Sequence, residues 1–110
     1  MRSITLAALL VLASAAPAVA SAQATGDAAA GKLKAYTCTG CHGITGYRNV
    51  YPHYHVPRIS GQNYPYLVAA LNAYKTGQRK HPTMAAQAQS LTEQDIADIA
   101  SYLATNPTTP

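Results

Sequence analysis

The chain has 110 residues, with 8 Lys and Arg against 4 Asp and Glu, for a formal charge of +4. That length predicts one domain of ordinary size rather than two independent cores. Charged residues make up only 11%, without blocks of one sign. A disordered chain is therefore excluded, and no run of Lys and Arg marks a nucleic-acid surface.

The N-terminus reads as a secretory leader. Met1-Arg2-Ser3 gives a positive start, residues 4–13 are apolar except for Thr5, and small residues follow through Ala20 and Ala22. Such an apolar stretch is too short for a bilayer core, which needs about 20 residues. Residues 1–22 are expected to be removed, with cleavage after Ala20 or Ala22. Residues 23–110 then form the single domain, in an oxidising compartment outside the cytoplasm and with no membrane span in the mature chain.

Three helices follow in order. The first opens with Asp27 as N-cap; Ala29, Leu33 and Tyr36 are expected to form its apolar face, with Lys32 and Lys34 flanking in solvent. Residues 43–62 then read as a loop, of a length uncommon in a compact domain unless it has a task. The second helix starts near Asn63 to Pro65, carries Leu67, Ala70, Leu71 and Tyr74 on one face, and ends at Gly77. From Gly77 to Leu91 the pattern is weak and predicts another long connection. The third helix opens at Thr92 with Glu93 and Asp95 in its first turn, buries Ile96, Ile99, Ala100 and Leu103, and stops at Asn106-Pro107. No segment alternates well enough for a strand. The fold class is all-α.

Trp and Phe are absent while Tyr occurs eight times, so the core is sparse in large apolar groups. A chain this small needs a staple. Cys38-Thr39-Gly40-Cys41-His42 holds both cysteines of the chain. On a helix, thiols at i and i+3 share one face, spaced to form thioethers with two vinyl groups of a haem. His42 follows directly and can supply an iron ligand. A disulfide would leave His42 without a role. Zinc would need two further ligands at a spacing that His53 and His55 do not offer, and a redox dithiol would need a preceding strand. Haem c, one group held covalently through Cys38 and Cys41, accounts for all three residues and for the missing core.

The sixth iron position has one thioether candidate once the leader is gone, Met84. His/Met ligation closes the iron to other ligands and raises its potential. His81, His53 and His55 are the bis-His alternatives, and a vacant position is the remaining one.

The pentapeptide with Gly43, the block Val56-Pro57-Arg58-Ile59-Ser60-Gly61-Gln62, the run Tyr74-Lys75-Thr76-Gly77-Gln78-Arg79, Met84, and the final helix from Leu91 to Tyr102 together resemble class I cytochromes c. The likeness is to small bacterial periplasmic carriers of the cytochrome c-four type, with one haem domain. It implies three main helices and long loops wrapped around one covalently bound haem. It also implies His42 and Met84 on the iron, the Pro57 carbonyl accepting from the His42 imidazole, and close crossing of first and last helices at Gly31 and Tyr102. The loop from Gly43 to Pro57, with Tyr47, Tyr51, His53, Tyr54 and His55, departs from the family pattern.

A closed His/Met iron moves electrons one at a time and has no substrate site, so the expected function is a periplasmic electron carrier and not an enzyme. Its partners would be an oxidase, reductase or dehydrogenase docking transiently. Lys75, Arg79 and Lys80 would face them, opposite Glu93, Asp95 and Asp98. The alternatives are a dedicated electron-accepting subunit of a periplasmic dehydrogenase, or a haem protein with a labile sixth ligand that binds gas or catalyses.

Overall fold

A computed structural model describes residues 24–106; the expected leader, residues 1–22, lies outside the described residues. Five helices and a minute hairpin follow in order: α1 Ala28–Lys34, α2 Tyr36–His42, β1 Arg48–Asn49, β2 Tyr54–His55, α3 Tyr64–Thr76, α4 Pro82–Gln89 and α5 Glu93–Thr105.

The expected first helix is two helices. Asp27 caps α1 by accepting from the Ala29 and Ala30 N–H groups. The ladder tightens at Ala35, where the Cys38 N–H bonds the Ala35 carbonyl three residues back, and α2 then carries the pentapeptide. The expected apolar face is corrected as well. Leu33 is 77% exposed and Tyr36 73% exposed, while Gly31 and Ala35 are buried. The reason is distance of approach. α1 lies so close to α5 that a Cβ on Gly31 would overlap the Asp98 carbonyl and meet the Tyr102 Cβ. Only small residues at i and i+4 permit that crossing, so the large apolar side chains of this helix turn outward. The Gly31–Tyr102 contact implied by the family resemblance is present.

Lys34 is not a solvated flank. Its Nζ lies 2.6 Å from Asp98 and 2.7 Å from Asp95. Asp98 is 3% exposed, and it also accepts from the Asp27 N–H and from Gln94. Two members of the expected acidic surface are thus internal partners of Lys34. Lys75 donates to the Leu91 carbonyl, which leaves Arg79 and Lys80 as the exposed basic pair at that end.

α3 matches its expectation: Asn63 caps it, Pro65 sits in the first turn, and Gly77 at φ 78° ends it in the left-handed region. α5 does so too, with a reciprocal capping box between Thr92 and Asp95. The stretch from Gly77 to Leu91 is corrected, because it contains α4, capped by His81 with Pro82 in its first turn. Its face is built from small residues, of which Ala88 is buried, so it gave little pattern. The 43–62 segment is also more ordered than a loop, since Arg48 pairs with His55 and Asn49 with Tyr54 in two-residue antiparallel strands.

The core gathers Ala35, Leu67, Ile99, Ala100 and Leu103, with Ile59, Leu71 and Leu91 packed against it. Gly61 ties the loop before α3 to the end of α5 through the Leu103 carbonyl. No helix among the described residues is long and apolar enough to cross a membrane.

Candidate functional site

α2, α3, α4 and α5 enclose a cavity of about 330 Å³. Its apolar wall comes from Leu67 and Leu71 of α3 and from Ile99 and Leu103 of α5. All five sequence-predicted site residues line it: Cys38, Cys41, His42, Pro57 and Met84.

The pentapeptide is presented by the last turns of α2. Cys38 is half-buried and packs against the core, and Cys41 is exposed. Burial pushes the Cys38 thiol above its ordinary value. A Cβ on Gly40 would meet nothing within 4 Å, so the residue between the two thiols faces open space.

His42 ends α2, and its Nδ1 lies 2.6 Å from the Pro57 carbonyl oxygen. A carbonyl only accepts, so Nδ1 carries the proton and the neutral ring keeps its lone pair on Nε2. That is the tautomer an iron ligand needs, with the partner bond fixing the ring's orientation and strengthening its basicity. Pro57 is suited to the task because it offers a carbonyl with no N–H of its own.

Met84 is half-buried, in the first turn of α4. Of the histidines weighed against it, His53 is exposed and does not line the cavity, whereas His55 and His81 do. The His81 Nδ1 is engaged with the Met84 N–H at 3.4 Å. Among the described residues no three His, Cys, Asp or Glu side chains gather into a metal-binding group, which leaves zinc without a ligand set.

The donors fit a c-type haem. Two thiols lie one helical turn apart, an imidazole keeps Nε2 for iron, a thioether lines the same cavity, and Leu67, Leu71, Ile99 and Leu103 give it an aliphatic side. Sequence reasoning missed Tyr54, Tyr74, Arg79 and Thr83, which also line the cavity. For Tyr54 the sequence signal was the excess of tyrosine in the 43–62 loop.

The comparisons with known proteins agree. A family model described as cytochrome c matches residues 28–107. Cytochrome c-554(548) of Halomonas halodenitrificans is 46% identical over 80 residues, 70% of this chain and 93% of that protein. Cytochrome c4 of Pseudomonas aeruginosa is 41% identical over 83 residues, 76% of this chain but 40% of its own length. The chain thus spans less than half of that relative. Among solved structures, thiosulfate dehydrogenase of Marichromatium purpuratum superimposes with a TM-score of 0.63 at 35% identity, covering 86% of this chain and 22% of that one.

Proposed function

Because the chain belongs to the cytochrome c family, as a class I member of the c4 type with covalent c-type haem, we propose that it is a one-haem periplasmic electron carrier with no catalytic activity of its own. Cys38 and Cys41 would hold the haem by thioether bonds, and His42 and Met84 would supply the two protein ligands to its iron. The observation that carries this reading is the 2.6 Å contact between His42 and Pro57, which reserves Nε2 for the metal. When bound, the haem supplies a one-electron couple, raised in potential by the methionine sulfur.

The chain's own residues do the rest. Pro57 holds the imidazole proton at Nδ1. Leu67, Leu71, Ile99 and Leu103 exclude water from the pocket, which disfavours the extra charge of the oxidised state. Two protein ligands leave no position for a substrate. Arg79 and Lys80 offer a small positive area to an acidic redox partner, suited to brief, charge-steered docking. Residues 1–22 serve as the leader that sends the chain to the compartment where the haem is attached.

The test is a reduced-minus-oxidised spectrum and pyridine haemochrome assay on protein made with a haem-attachment system. One haem per chain with a Met–iron charge-transfer band is expected. Met84→Ala should lower the reduction potential and open the ferrous iron to CO. Unchanged spectra in that variant would overturn the ligand assignment.

A second reading draws on the likeness to thiosulfate dehydrogenase: the chain would be the electron-accepting subunit of a periplasmic dehydrogenase, with the same haem chemistry and a lasting partner. Size-exclusion of the native protein from its own cells separates the two, since a free carrier elutes alone.

A further inference from the structure

α4 presents Met84, and its start is held by side chains to which the haem chemistry gives no task. The first N–H groups of a helix lack intrahelical partners. Pro82 has none to satisfy, and the Met84 N–H donates to Nδ1 of His81, the N-cap residue. That bond leaves Nδ1 unprotonated and sets the ring's tautomer. It also places the cap's acceptor at the third helical position, where capping side chains act.

Histidine is not among the preferred caps, and its ring is held from two other elements. Tyr54 of β2 meets it edge to face, with centroids 4.7 Å apart and planes at 83°. Tyr74 of α3 stands at 6.4 Å and 78°. The Tyr54 hydroxyl reaches the Thr83 hydroxyl at 3.2 Å, and the Arg79 guanidinium lies 4.6 Å over the Tyr74 ring. Edge-to-face aromatic pairs favour a defined geometry. The hairpin and α3 therefore grip the residue that caps the methionine's helix.

We propose that His81, braced by Tyr54 and Tyr74, is the positioning residue for Met84, an inference that rests on Met84 being an iron ligand. Methionine has three flexible torsions and a soft, adaptable side chain, so its hold on a metal depends on how firmly its backbone is placed. The His81 cap fixes the backbone N–H of Met84 itself. The tyrosine brace fixes the cap. Together they lower the ordering cost of ligation, which shows as resistance to displacement by an external ligand. Tyr54 of the hairpin thereby gains a role at a ligand presented by α4.

The experiment titrates the ferric holoprotein with imidazole and follows loss of the Met–iron band in wild type, His81→Ala, His81→Gln, His81→Asn and Tyr54→Leu. Losing a cap is expected to raise imidazole affinity about fivefold in His81→Ala and His81→Gln. His81→Asn supplies a short cap acceptor and should return to within about twofold of wild type, while Tyr54→Leu should loosen the methionine with the cap in place. A residue that only supports the fold would lower thermal stability without this ligand-specific pattern or its rescue by asparagine. If His81→Ala does not hold haem, the Gln and Asn variants make the comparison. Met84→Ala separates the two failures: a band that survives in it overturns the ligand assignment and the positioning role together. A band lost there, with wild-type imidazole affinity in His81→Gln and Tyr54→Leu, overturns the positioning role alone.

Discussion

Asp98 shows how one residue joins both ends of the described chain. Its carboxylate accepts from the Asp27 N–H at 2.8 Å, from the Lys34 ammonium at 2.6 Å and from Gln94 at 2.7 Å. In that order the Asp27 N–H, Lys34 and Gln94 hold it down to about 2, against an ordinary value of 3.8. Asp95 is likewise well below the carboxylate range, first through Lys34 and then through the Thr92 N–H and hydroxyl. Lys34 is raised above 10.5, first by Asp95 and then by Asp98. A depressed carboxylate stabilises the fold above its ordinary value, and the benefit fades as pH falls through the lowered one. Asp98→Asn should therefore be less stable than wild type at neutral pH. The gap should close as pH falls from about 4 towards about 2, as urea midpoints measured across that range would show. The Lys34 contribution runs the other way, present below 10.5 and lost as pH rises through its raised value. The Lys34–Asp98 bond was not legible in the sequence, because the two stand 64 positions apart and each looks like an ordinary surface charge. The pentapeptide was legible because all its chemistry is local.

At the level of elements, α1 and α5 cross at a contact that admits no side chain on Gly31. Gly31→Val should push the helices apart and cost about 2 kcal/mol or more, the scale of overpacking in a closed core. Chemical denaturation of the holoprotein measures it. The starts of α3 and α5 could be read because Asn63 and Thr92 announce themselves by their own side chains. α4 could not, because its cap is a histidine and its packed face is alanine. The α1 face was misread for a related reason. Periodicity of large apolar residues finds helices that pack at ordinary distances, and Leu33 and Tyr36 fit that template while small residues make the contact. His42 and Pro57 were paired through family resemblance, whereas the brace of Tyr54, His81 and Tyr74 joins three elements and left no local trace.

At the scale of the molecule, the largest fully buried side chains among the described residues are Ile96 and Ile99. Much of the remaining aliphatic surface of α3 and α5 faces the cavity rather than other protein. A haem held there covers that surface and replaces the large aromatics that the composition lacks. The double variant Cys38→Ala, Cys41→Ala should accordingly keep little cooperative structure, and thermal melting followed by circular dichroism would show a broad, weak transition in place of a sharp one. A stable, cooperative apo variant would count against a core centred on the cofactor.

Gln94 donates to the Thr25 carbonyl, and the Tyr64 hydroxyl to that of Ala24, so the earliest described residues are stitched to segments made far later. A polypeptide emerging from its N-terminus cannot close this structure until α5 has arrived. The docking of the last helix is thus what closes both ends of the described chain on each other.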